Sequence, residues 1–132
     1  MEFSFILLGA GDSSRFKSNT PKQYHKIAGK TLVEVSINKI KTFKEIKKVI
    51  FVYNKQHEKY VKRIRFKNVK LLVGGKTRNE STYIALRFLK KQNVKGNVLI
   101  HDAARPNFSK KLINNIITSS KEKNTIIPIL KL

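Results

Sequence analysis

Asp102 stands in the run His101-Asp102-Ala103-Ala104-Arg105-Pro106, and with Asp12 it makes up the whole aspartate complement of a 132-residue chain. A lone carboxylate in such a run suits Mg²⁺ held jointly by protein, water and substrate phosphates, because Mg²⁺ keeps much of its water and needs few protein donors. Ala103 and Ala104 leave room beside the carboxylate, and Arg105 offers a planar fork for a phosphate. The same residues would equally make an Asp-Arg pair that stabilises a turn. A second candidate is Gly9-Ala10-Gly11-Asp12-Ser13-Ser14-Arg15. Its small residues admit a ligand to the main chain, whose N–H groups can cradle phosphate oxygens, while Arg15 and Lys22 add positive charge. The plain alternative is a flexible surface loop with two incidental cations. A third is Gly74-Gly75-Lys76-Thr77-Arg78-Asn79-Glu80-Ser81. Here main chain at Gly74 and Gly75 could approach a planar base and Ser81 could bond its edge, or the segment is a turn followed by a helix cap.

Familiar phosphate signatures fail one by one. Gly9-x-Gly11 begins a dinucleotide fingerprint, but Ser14 fills the third glycine position and Pro21 argues against an immediate helix. Gly29-Lys30-Thr31 and Gly75-Lys76-Thr77 each resemble the end of a Walker A loop, yet Tyr24 and Lys70 stand where its first glycine belongs. His25 and His57 have no metal-ligand spacing. His101 has no nucleophile motif beside it, so a structural hydrogen bond is expected for it rather than base catalysis.

Hydrophobic periodicity supplies the elements that must carry these loops. Residues 3–8 form a continuous apolar run that stops at Gly9, as a strand buried on both faces should. Residues 31–43 carry apolar side chains near a 3.6 period and predict a helix, residues 48–53 a second strand, and 57–65 a weaker helix. Residues 69–73 predict a third strand and 78–91 a helix with Ala85, Leu86 and Leu89 on one side. Residues 97–101 give a fourth strand, Ser109 caps a helix bearing Leu112, Ile113, Ile116 and Ile117, and residues 125–130 look like a fifth strand. Strands alternating with helices imply right-handed crossovers and a three-layer α/β sandwich with a mostly parallel sheet. In such sheets ligands bind beyond the carboxyl ends of the strands, where all three unusual loops fall. About 20 aperiodic residues after the first strand are too many for an ordinary connection.

Composition bounds the rest. The length fits one domain, and 40% apolar residues can build a core, which excludes disordered and collagen-like classes. No apolar stretch approaches the ~20 residues of a membrane span, and MEFSFILL has no basic leader, so a cytoplasmic protein is expected. Without cysteine there is no disulfide framework, thiolate metal site or thiol nucleophile. The charge of +21 attracts polyanions, but 23 of the 29 basic residues are Lys interleaved with apolar positions. That pattern favours a solvated surface over a nucleic-acid face, with a noncatalytic basic nucleic-acid-binding α/β domain as the alternative.

Taken together, LLGAGDSSRF, TPKQYHKIAGKTLVE, GGKTRNEST and HDAARP, in this order, resemble the 2-C-methyl-D-erythritol 4-phosphate cytidylyltransferases of isoprenoid biosynthesis. The likeness spans essentially the whole chain but only the N-terminal part of that family, so residues 1–132 are expected to form a single, partial nucleotidyltransferase domain with a Rossmann-like sheet. It implies transfer of CMP from CTP to 2-C-methyl-D-erythritol 4-phosphate with release of pyrophosphate, and homodimerisation in the full-length family. By the same resemblance Arg15 and Lys22 would be catalytic, neutralising the triphosphate. Leu8, Gly9, Ala10 and Gly11, with Gly74, Gly75, Lys76 and Ser81, would bind the nucleotide. Asp102 would hold Mg²⁺, and Ala103 and Arg105 would face the acceptor. Gly9 departs from the usual alanine, Ser13 stands where a glycine is common, and Lys76 where an acidic residue is. A sister family acting on ribitol 5-phosphate shares the loop logic, although HDAARP favours the methylerythritol enzymes. The end of the chain inside the expected fifth strand, with no closing helix, suggests truncation and a chain of doubtful activity.

Overall fold

A computed structural model describes residues 1–129. β1 (Phe3–Gly9) is buried at every position because both sheet faces are covered. β4 (Ile46–Tyr53) and β6 (Asn97–Asp102) flank it, and β5 (Lys70–Val73) lies outside β4, giving the order β5-β4-β1-β6 with all pairings parallel. Alternate side chains of β1 enter different layers, as the two-residue period of a strand requires. Phe3, Phe5 and Leu7 pack with Val33, Ile37, Ile40, Ile113 and Ile117 from α1 (Leu32–Ile40) and α4 (Lys110–Ser119). Ile6 and Leu8 pack on the opposite face with Ala85 and Leu89 of α3 (Arg78–Lys91).

Local chemistry starts each helix where a cap is available. Thr31 and Glu34 form a reciprocal capping box at α1, Thr77 accepts from the Glu80 N–H at 3.1 Å, and Ser109 accepts from the Leu112 N–H at 3.0 Å. Each such cap is worth about 1 kcal/mol, and it also fixes where the preceding loop must stop. Among the described residues no helix is long and apolar enough to cross a membrane.

Several expectations need correcting. Residues 125–129 form no strand, with Ile127 77% and Ile129 86% exposed, and residue 130 lies outside the described residues. The predicted helix over 57–65 is reduced to α2 (Glu58–Val61) behind a 3₁₀ turn at Lys55–His57, and α1 stops at Ile40. Leu86 points outward while Ala85 and Leu89 are buried. The aperiodic stretch after β1 holds a 3₁₀ turn, Lys22–Tyr24, and a small antiparallel hairpin of β2 (Lys26–Ile27) and β3 (Lys30–Thr31).

Register brings the strand ends level. Leu8 pairs with Asp102, Gly9 with Tyr53, and Tyr53 with Val73, so the loops after β1, β5 and β6 leave the sheet at one rim.

Candidate functional site

At that rim lies a cavity of about 640 Å³, within the range of small-molecule sites. Leu8, Gly9, Ala10, Gly11, Arg15, Lys22, Gly75, Lys76, Ser81, Asp102 and Arg105 all line it. Segments separated by most of the chain thus converge on one space. Gly74 and Ala103 are not in the lining. Ala103 is fully buried, its N–H donating to the Leu8 carbonyl at 2.7 Å, and Ala104 takes its place in the wall.

The loop after β1 is held from behind by side chains. Gln23 Nε2 donates to the Gly9 carbonyl at 2.8 Å and to the Gly11 carbonyl at 3.3 Å, while Asn54 Nδ2 donates to the Ala10 carbonyl at 3.1 Å. The Ser13 hydroxyl donates to Gln23 Oε1 at 2.9 Å and accepts from the Lys22 N–H at 3.2 Å. Ser13 has φ +59°, a left-handed conformation that glycine adopts without penalty, and these two bonds offset its strain of about 1–2 kcal/mol. Gly9 has no room for a side chain. A Cβ there would overlap the buried Phe51 ring and come within 3.2 Å of the Ala103 Cβ.

Gly74 is equally confined, since a Cβ would run into Ala10 and stand 2.7 Å from Ser81 Oγ. Its lack of a side chain lets the β1 and β5 loops touch. Beyond it, the Gly75 N–H donates to Ser81 Oγ at 3.1 Å and the Lys76 N–H to Glu80 Oε2 at 2.6 Å. Ser81, 2% exposed, therefore acts on its own loop as well as lining the cavity.

At the third loop, Asp102 is shared by two arginines: Arg78 Nε lies 3.2 Å from Oδ1 and Arg105 Nε 3.5 Å from Oδ2. No group of three metal-ligating His, Asp or Glu residues occurs among the described residues. Asp102 nevertheless offers one carboxylate at the cavity, which is what an ion completing its shell with phosphates and water needs. The His101 ring nitrogen Nε2 lies 2.6 Å from the Arg105 carbonyl, and the ring packs edge-on to Phe108, a structural placement as expected.

Beneath the rim, Tyr24 stacks on Tyr60 and meets His57 edge-on. Burial pushes the Tyr24 hydroxyl pKa up and the His57 pKa down, the nearby Asp12 charge opposing the latter. Asp12 itself is held below the ordinary carboxylate value by the Ser14 N–H, which donates to Oδ1 at 2.9 Å.

Sequence reasoning missed Gln23, Asn54 and Arg78, while Ala104, expected to leave room beside Asp102, does line the cavity. Gln23 sat next to the predicted Lys22, but only its 3% exposure marks it, because a buried amide must satisfy its hydrogen bonds. Arg78 carried a signal as the first residue of a predicted helix in a candidate loop.

Comparison with known proteins bears on this geometry. Residues 3–132 match the family model described as 2-C-methyl-D-erythritol 4-phosphate cytidylyltransferase. A bifunctional enzyme IspD/IspF of Pelagibacter ubique is 47% identical over 99% of this chain and 35% of its own length. A 2-C-methyl-D-erythritol 4-phosphate cytidylyltransferase of Thermosipho melanesiensis is 40% identical over 86% of this chain and 51% of its own. Among solved structures, the bifunctional IspDF of Campylobacter jejuni superposes with TM-score 0.78 at 28% identity, covering 92% of this chain and 31% of that one. The chain thus spans about a third to a half of the length of these relatives.

Proposed function

The chain belongs to the 2-C-methyl-D-erythritol 4-phosphate cytidylyltransferase family, and on that premise we propose that its rim cavity binds CTP and transfers CMP to 2-C-methyl-D-erythritol 4-phosphate. The convergence of three sequence-distant loops on one cavity, with Arg15, Lys22 and Asp102 all lining it, carries the reading. A phosphate oxygen of the acceptor attacks the α-phosphorus of CTP. The new P–O bond forms as the bond to the β-phosphate breaks, and pyrophosphate leaves. No covalent enzyme intermediate is required, so positioning and charge neutralisation do the work.

Leu8 to Gly11 would line the nucleotide's path, with Arg15 and Lys22 neutralising the triphosphate. Gly75, Lys76 and Ser81 would surround cytosine and ribose, Gly74 acting by keeping that wall close to Ala10. Ser81 Oγ already accepts from Gly75 and keeps its hydroxyl proton to donate to a base acceptor. Arg105 would face the acceptor phosphate beside Ala104, with Ala103 as the floor beneath. Asp102 would be the protein ligand of Mg²⁺, which when bound supplies positive charge to the phosphates. The same reading places the protein in the cytoplasm.

The deciding experiment measures thermal stabilisation by each of the four nucleoside triphosphates with Mg²⁺. At 100 times Kd a ligand adds about 2.7 kcal/mol, so CTP should raise Tm clearly more than ATP, GTP or UTP. Equal shifts, or RNA binding that collapses with salt and ignores CTP, would replace this reading by that of a basic binding domain. Pyrophosphate release with methylerythritol phosphate and ribitol 5-phosphate offered side by side then assigns the acceptor.

A further inference from the structure

We propose that Gln23 is a positioning residue that sets the polarity of the nucleotide loop, turning its carbonyls inward so that its N–H groups face the phosphates. The inference rests on the CTP reading above. Three successive carbonyls, those of Gly9, Ala10 and Gly11, are each taken by a side-chain amide donor: Gln23 for the first and third, Asn54 for the second. In a planar trans peptide the carbonyl and the following N–H point in opposite directions. Fixing those three oxygens therefore aims the N–H groups of Ala10, Gly11 and Asp12 away from the amide donors, and all three residues line the cavity, which the largely buried Gln23 also borders.

A loop this rich in glycine has no intrinsic preference for that arrangement. A Cβ at Gly11 would meet nothing within 4 Å, so apart from the Gln23 amide no packing holds its peptide, and a flip would present an oxygen to the anion instead. Gln23 resists the flip because its own amide cannot turn: Oε1 is occupied by the Ser13 hydroxyl, which leaves Nε2 facing the two carbonyls. Gln23 is 3% exposed, so turning its amide would leave Oε1 unpaired in a buried place, which is costly. Since the Lys22 N–H donates to the same Ser13 hydroxyl, one network orients the loop and seats the adjoining cation.

Gln23→Met retains volume and neutrality but lacks the donor. Isothermal titrations of this chain with Mg²⁺ and CTP, inorganic pyrophosphate or cytidine separate the possibilities. Gln23→Met should weaken CTP and pyrophosphate about tenfold while leaving cytidine within twofold of the parent, because only the phosphates meet the reoriented peptides. Unchanged CTP and pyrophosphate affinity would overturn the assignment, and so would a parallel loss of cytidine, which marks a merely structural role. A parent chain that binds no CTP refutes the nucleotide reading itself, a result independent of any variant. If Gln23→Met does not fold, Ser13→Ala, which frees the Gln23 amide to rotate, should show the same phosphate-selective loss at about threefold, and its absence overturns the proposal equally.

Discussion

Arg78, at the start of α3, and Asp102, at the end of β6, meet at the edge of the cavity they both line, with Nε 3.2 Å from Oδ1, and Arg105 occupies the other carboxylate oxygen. The carboxylate offered for Mg²⁺ is thus already shared between two cations. Arg78 is 60% exposed along its side chain, so its ion pair should contribute less than about 1 kcal/mol to stability. Arg78→Ala should leave Tm nearly unchanged while lowering the Mg²⁺ concentration needed for CTP stabilisation by roughly two- to threefold, the equivalent of ~0.5 kcal/mol of removed competition. A Mg²⁺ titration monitored by thermal shift checks this. A higher requirement would instead make Arg78 a phosphate ligand.

Arg15 and Lys22 are exposed side chains on the cavity wall. If they act on charge that develops during phosphoryl transfer, Arg15→Ala and Lys22→Ala should each lower kcat by about 10²–10³ and change KM for CTP far less. Steady-state pyrophosphate release measures both parameters. A rise in KM with kcat intact would confine the two residues to ground-state binding.

Gly9→Ala should destabilise the protein by about 1–3 kcal/mol, because the new Cβ overlaps the Phe51 ring in a closed core. Adding Phe51→Leu should restore part of that loss, giving a coupling energy that urea denaturation of the four-member cycle measures. Additive effects would mean that Phe51 is not what excludes a side chain at Gly9.

Burial lowers the His57 pKa in the folded protein, so the unfolded chain takes up that proton first. The stability it contributes is full above the unfolded value near pH 6.5 and is lost as pH falls through the lowered folded value. Asp12, lowered by its bond to Ser14, adds a loss in the same direction at more acidic pH. Tm of the parent should therefore fall from pH 7 toward pH 5, and His57→Phe should flatten that slope. An identical slope in the variant would remove His57 as its source.

What the sequence made legible depended on how local each cause is. β1 announced itself because burial on both faces demands a continuous apolar run, and α4 because Ser109 and its amphipathic stripe lie within a few residues of each other. The strand expected over residues 125–130 had the apolar composition, but an edge needs a partner, and Pro128 lacks an N–H to give one. The turn at Lys22–Tyr24 and the β2–β3 hairpin are too short to show a period. All three site loops were visible as clusters of small and charged residues beyond strand ends. Gln23 was not, since its importance lies in carbonyls delivered by a segment 12–14 residues earlier.

Because all four strands of the main sheet run the same way, the turns around residues 41–45 and 92–96 gather at the end opposite the cavity. The seven residues of β1 put about 23 Å between the two ends. Insertions, affinity tags or fused modules placed at the exposed positions of those turns, clear of the buried Phe43 and of Gly96 packed against the Glu2 carbonyl, would lie far from the chemistry. The molecule is divided into a workshop and a handle, and the handle can be reshaped at its exposed positions.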